Sequence, residues 1–237
     1  VLGLLSSCGS DGDEAATVAF EAPASGDQVA GGLSIVMAAD GIAIEEAGGV
    51  RDGAGHFHVI ADAGCVVAGN PVPVDVDHVH FGAGQSEGTV YLPPGRHELC
   101  LQVADGAHVA LGITDTIEVQ VGVADVDQWC AVVAEIDTLF TEGEINSDDF
   151  DSVRVAAEHL RRLFMQLRDG IDVVDTAARE AVDLEVGYGV DFTTAYADAV
   201  DFASAQTALQ QLAPGDGSEG AAGRAWILDE CGVNIAD

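Results

Sequence analysis

The hydrophobic period of this chain changes once, near residue 124, and that change limits what it can fold into. From Thr17 to Val123 short alternating runs recur: "TVAFEAP", "LSIVMAA", "HFHVIAD", "HVHFGAG", "TVYLPPG", "HELCLQVAD" and "TIEVQVGV". Period-two runs broken by Gly, Pro and Asp predict antiparallel strands, and about seven of them in roughly 105 residues predict an immunoglobulin-like β-sandwich. Beyond Ala124 the period is helical. Val153, Ala157, Leu160, Phe164 and Leu167 fall on one face of a helix capped by Ser147–Asp149 and stopped by Gly170. Further helices are expected near Val126–Thr141, Asp172–Val186, Phe192–Leu212 and Ala221–Glu230, with breaks at Gly187, Gly189 and "APGDGSEG". The predicted fold class is therefore α+β multidomain: an antiparallel β-sandwich over 17–123 followed by an α-helical bundle over 126–237. The two halves are expected to separate near Ala124–Val126 and to fold independently.

At 237 residues and 48% hydrophobic content the chain can bury real cores. Its 41 acidic residues face eight arginines and no lysine, for a net charge of −33. A phosphate backbone would be repelled, which excludes nucleic acid as a partner and favours cations. Most of the carboxylates are expected to be solvated and to serve solubility.

The first residues, "VLGLLSSCGSDGDEAA", run apolar up to Leu5-Ser6-Ser7-Cys8 and then turn small and acidic. They resemble the lipobox of bacterial lipoproteins. That resemblance implies a truncated signal over 1–8, a lipidated Cys8 and a flexible acidic tether over 9–16, with the protein anchored to a membrane in the bacterial cell envelope. Four cysteines remain, an even number that an exported chain can oxidise. Three connectivities are open, and membership of the two halves favours Cys65–Cys100 and Cys130–Cys231. By chain entropy, closing the longer loop contributes at most about 4–5 kcal/mol.

Six of the seven histidines lie in the β half: His56, His58, His78, His80, His97 and His108. Residues i and i+2 of a strand share a face, so His56 with His58 and His78 with His80 each present two adjacent imidazoles. Neighbouring strands would bring four together, a donor set suited to copper or zinc. His97 and His108 are reserve ligands. Asp62, Asp77, Gln85 and Glu87 are candidates to orient the rings or add a ligand. Metal binding is expected to weaken as pH falls through the ordinary histidine range near ~6.5. His159, in the helical half, reads as a boundary histidine.

The order "GHFHVIAD", "PVPVDVDHVHFGAGQSE", "LPPGRHELCLQVADGAHV" resembles the bacterial domain of unknown function 4399 over about residues 17–121. Gly55, His56, His58, Asp62, His78, His80, Phe81, Gly82, Gly84, Gln85, Glu87, Pro94, Gly95, His97, Leu99, Gln102 and His108 fall on its pattern. Phe57 stands where the family often has a further histidine, Ser86 replaces Thr, and "ALGITDTIEV" replaces a Pro-rich close. The resemblance implies a fold and a residue set but no reaction. The helical half is more loosely similar to acidic tails of actinobacterial lipoproteins.

Three functions compete. The leading expectation is an extracytoplasmic, non-catalytic binding lipoprotein with a His-rich copper or zinc site. The second is a structural or ligand-recognition module of the cell surface, without metal, whose histidines bond internally and whose helices dock an envelope protein. The third is a metalloenzyme. "HFHVIADAGC" is similar to the His-x-His strand of copper-zinc superoxide dismutase, but that enzyme's remaining ligand spacing is absent. No G-x-S-x-G, H-E-x-x-H, Walker or EF-hand pattern occurs. No catalytic residue is assigned.

Overall fold

The computed structural model describes residues 15–141, 149–212 and 220–234. The expected signal and Cys8, nearly all of the tether, the capping Ser147 and most of "APGDGSEG" lie outside the described residues. Nine strands come first: β1 Thr17–Ala22, β2 Gln28–Val29, β3 Leu33–Asp40, β4 Ala43–Ile44, β5 Ala54–Ala61, β6 His78–Phe81, β7 Glu87–Val90, β8 Gly95–Ala104 and β9 Ala110–Val121. Five helices follow: α1 Val126–Thr141, α2 Phe150–Asp169, α3 Arg179–Ala197, α4 Phe202–Leu209 and α5 Ala221–Cys231. The protein is thus α+β, strands first and helices second.

The strands form two sheets. One has the order β1-β3-β7; the other runs β2-β9-β8-β5-β4, with β6 also pairing β5. Alternation puts Ile35 and Met37 of β3, Phe57 and Val59 of β5, Leu99, Leu101 and Val103 of β8 and Val119 of β9 into one apolar core drawn from both sheets. Only β5 is buried at every position. Its second face therefore needs a cover too, and the segment 62–77 between β5 and β6 provides one. Val66 and Val72 of that segment pack against Ala104 and Ala110. The Cys65–Cys100 disulfide anchors it to β8.

In the helical half, α1 and α5 are joined by Cys130–Cys231, so both favoured pairings are formed. Trp129, Val132, Leu163, Val182 and Ile227 build the second core. Asp149 caps α2, accepting from the Asp151 amide, and Gly232 ends α5 in the left-handed conformation. The sequence expectation fails at α3. The helix starts at Arg179 rather than Asp172, after a 3₁₀ turn over Ile171–Val173, and continues through Gly187 and Gly189 to Ala197. A Cβ on Gly189 would overlap the Phe164 ring, so this glycine lets α2 and α3 approach closely instead of breaking the helix. The expected helix Phe192–Leu212 is correspondingly shortened to α4, Phe202–Leu209.

The halves meet across a buried polar seam. Fully buried Gln166 accepts from the Gly31 amide at 2.7 Å and donates to the carbonyls of Gly31 and Leu92 at 3.1 and 3.0 Å. One turn earlier Arg162 donates to Glu158, to Asp77 at 2.8 Å and to the Tyr91 carbonyl at 2.7 Å. Glu135 of α1 accepts from the Gly32 amide and from the Tyr91 hydroxyl, and burial followed by that acid pushes Tyr91 up to about 12. His159 stacks 4.7 Å from Tyr91, and burial, then Arg162, pushes it down to about 4.

Candidate metal centre

The face of β5 turned away from the apolar core carries His56 and His58. Antiparallel pairing sets His80 of β6 directly opposite His58, while on the other side Gln102 of β8 stands opposite His58 and Ala104 opposite His56. Small Ala104 leaves room above the sheet. Into that room comes His108, from the turn that joins β8 to β9. Its φ of 64° lies in the left-handed region, which costs a non-glycine residue of order 1–2 kcal/mol and is more common in His than in most side chains. Asp105 holds the turn: one carboxylate oxygen accepts from the amides of Ala107 and Val109, both at 2.9 Å, and its carbonyl accepts from His108 N.

Four imidazoles converge as a result. One ligand nitrogen from each of His56, His58, His80 and His108 lies within 4.8 Å of all the others. The six ring-centroid separations run from 4.7 to 5.8 Å. His56 Nε2 and His58 Nε2 are 3.0 Å apart, and His80 Nε2 and His108 Nε2 are 3.1 Å apart. A tetrahedral ion with metal–nitrogen bonds near 2.05 Å needs its donors about 3.3 Å apart. His56 and His58 are 0% and 2% exposed, His108 is half-buried and His80 exposed, so the cluster has a closed back and an accessible front.

Electrostatics favour the neutral form of His56, His58 and His80. Burial first, then the imidazoles of His80 and His108, pushes His56 down to about 4, with Asp105 opposing; burial and its three cluster neighbours push His58 down to about 3. Burial and His108 lower His80 as well. Neutral imidazole is the ligating form. Among the described residues, the buried Nδ1 atoms of His56 and His58 have no hydrogen-bond partner. A buried polar atom left unpaired costs about 1–3 kcal/mol, and such atoms call for a ligand or an ion. The set of four nitrogen donors, free of charge and of sulfur, fits copper or zinc.

Glycines hold the accessible front in place. Ala47 N donates to the Gly82 carbonyl and Gly48 N to the Gly106 carbonyl, tying the end of β6 and the 105–109 turn to one short loop. A Cβ on Gly82 would lie within the His80 ring, and one on Gly106 would strike the backbone at Gly48 and Gly49.

The other candidate residues stand apart from the cluster. His78 shares its face with His80 but is a step further along, where Nδ1 meets Asp75 at 2.7 Å. His97 is satisfied at both nitrogens, by Asp62 at 2.7 Å and the Pro93 carbonyl at 2.8 Å. Asp62 thus orients His97, not a cluster ring. Gln85 accepts from the Ala83 amide, Asp77 meets Arg162, and Glu87 pairs with Val36 in the other sheet. Of the two reserve histidines, His108 enters the cluster and His97 does not. Reading strands alone overlooked Asp105, Gly82 and the loop-holding Gln102. The only signal for the first was "ADGAH", an Asp-Gly turn placed immediately before a histidine.

Residues 35–122 match the family described as Domain of unknown function (DUF4399), which covers all four cluster histidines. No curated protein matches the chain. One similar solved structure is the "X-ray structure of the endo-beta-1,4-mannanase from Thermotoga petrophila", at 15% identity and a TM-score of 0.30, covering 48% of this chain and 21% of that one. The chain spans about a fifth of that enzyme's length, and a likeness at this score carries no inference about activity.

Proposed function

We propose that the β half, which we read as an immunoglobulin-like sandwich, is a non-catalytic metal-binding module that holds one copper or zinc ion through His56, His58, His80 and His108. The observation that carries this reading is the convergence of four imidazoles, two of them buried with an unpartnered Nδ1. When bound, the ion would supply a positive charge shared by four nitrogen donors. β5 supplies two ligands on a rigid, fully buried strand, and His80 and His108 complete the set from the accessible side.

The two disulfides fit an oxidising, extracytoplasmic environment, and among the described residues no helix is long and apolar enough to cross a membrane. Lipid anchoring through Cys8 belongs to the same proposal, with the helical half as a bundle that docks an envelope partner. Mass spectrometry of membrane-extracted protein should find a diacylglyceryl adduct on Cys8; an unmodified thiol would remove the anchor.

A second reading is favoured by the Nε2 pairs at 3.0 and 3.1 Å, which are also hydrogen-bonding distances, so the rings could partner one another without metal. Calorimetry and elemental analysis of washed protein, in enough salt to screen diffuse attraction to the acidic surface, separate the two. One tight copper or zinc equivalent at neutral pH is expected. No tight equivalent would leave the metal-free recognition module as the function.

A further inference from the structure

Segment 62–77 links the three elements that flank β5 at the metal centre: β8, the His108 turn and β6. Its start is fixed by the exposed Cys65, bonded to buried Cys100 of β8. Two residues along β8, fully buried Gln102 spends both ends of its amide on one residue of the segment: Oε1 accepts from Val66 N at 2.9 Å and Nε2 donates to Val66 O at 2.7 Å. Gln102 is the residue opposite His58. Further on, the segment runs beside the His108 turn, where Val72 N donates to the His108 carbonyl at 2.8 Å and Ala110 N to the Asn70 carbonyl at 2.9 Å. Near its end Asp75 holds His78, two residues before His80. One stretch of chain thus helps bury His58, fixes the backbone of strained His108 and leads into the strand of His80. Apart from Val66 and Val72 it buries little apolar surface of its own.

We propose that segment 62–77 is a thiol-sensitive clamp on the four-histidine centre, with Cys65–Cys100 as its latch. The inference rests on the metal-binding reading and adds regulation to it. The chemistry is ordinary exchange: a thiolate of a small dithiol or dithiol oxidoreductase attacks the exposed Cys65 sulfur, the Cys65–Cys100 bond breaks and Cys100 leaves as thiolate. The reductant's second thiolate then resolves the mixed disulfide. Cys65 and Cys100 end as thiols and the reductant as a disulfide, so two electrons and two protons have moved. With the latch open, the near end of the segment keeps the hydrogen bonds of Asp62 and Val66 and the small Val66/Val72 contact but loses its covalent tie to β8. The Val72 and Asn70 bonds that brace the His108 turn alongside Asp105 then loosen, and the centre loses part of the preorganisation of one ligand.

The test uses zinc as probe, released from the full chain to a chromophoric chelator. Zinc should leave at least tenfold faster from Cys65→Ala/Cys100→Ala than from the parent, whereas Cys130→Ala/Cys231→Ala should match the parent. Equal release from parent and latch variant overturns the clamp and leaves the metal site standing. A parent that holds no zinc and no copper overturns the metal reading, and the clamp with it. Should the latch variant fold poorly, partial reduction of the parent by a phosphine, with the open bridge identified by alkylation, gives the same comparison. A metal-free readout accompanies it: amide exchange at Val72, His108 and Ala110 should accelerate on reduction while the amides of β5 do not, and unchanged exchange at those three positions also overturns the clamp.

Discussion

The molecule contains two buried polar clusters, and they are built on opposite principles. In the seam between the halves, Gln166 and Arg162 meet a partner with nearly every polar atom they bury. In the histidine cluster, four rings face one another and two buried nitrogens meet nothing. A satisfied network fixes two surfaces together, and changing it should cost stability alone. An unsatisfied one lowers stability until a ligand arrives, and changing it should alter binding more than folding. His97 provides an internal control, since it is as buried as its neighbours but bonded at both nitrogens.

The largest effect should come from His56→Ala/His58→Ala. Removing the two rigid ligands should weaken copper or zinc binding by at least 100-fold, which is about 2.7 kcal/mol. The circular dichroism of the β half should not change, and metal-free stability should be equal or higher. A double variant that binds like the parent breaks the comparison at once. Gln166→Leu is the converse: three hydrogen bonds disappear and the Gly31 amide and two carbonyls are stranded, so urea unfolding should show a loss of about 3 kcal/mol while zinc affinity stays within twofold.

The acid response sharpens the contrast. His56 and His58 titrate at about 4 and 3 in the folded protein but near ~6.5 when unfolded. Between those values the unfolded chain holds protons that the native one lacks, so the stability contribution of these rings should fall as pH drops from about 6.5 towards 3 and level off below. Above pH 7 the two rings should contribute no slope. In His56→Ala/His58→Ala the fall should shrink, leaving a remainder in the same direction from His159. Urea midpoints at pH 7 and 5 read this directly. Because protons compete poorly for these rings, bound zinc should survive at pH 5.5, lower than an ordinary histidine range allows. His97→Ala should give a smaller effect, a stability loss of about 1–2 kcal/mol from stranding Asp62 and the Pro93 carbonyl, with zinc affinity unchanged. Smallest of all, His78→Ala should change affinity by less than twofold, since its ring is spent on half-exposed Asp75.

Much of the β half was legible because period-two alternation is a local signal. "GHFHVIAD" and "HVHF" put two imidazoles each on one strand face, and the strands pair with His58 opposite His80. Alternation says nothing about turns, so His108 could be offered only as a reserve, though Asp105 builds its turn and the left-handed backbone aims it. Alternation also cannot tell how far along the face a cluster extends, and His78 lies one pair too far. In the helical half, glycine reads as a break because of its backbone entropy; at Gly189 the tight contact with Phe164 outweighs that cost. The seam was illegible for a plainer reason. Gln166 is one more polar residue on a helix until the backbone of residues 31 and 92 is seen against it.

Gly82 allows an experiment in reactivity that leaves all four histidines in the sequence. It has no Cβ, and one would occupy the space of the His80 ring, while its backbone is not in the left-handed region that penalises alanine. Gly82→Ala therefore evicts the most exposed imidazole and leaves three histidines around a vacant coordination position, the arrangement in which a bound water becomes acidic and a metal becomes a Lewis acid. If the centre holds an ion as proposed, a single methyl group at residue 82 would separate holding that ion from offering it an open coordination position.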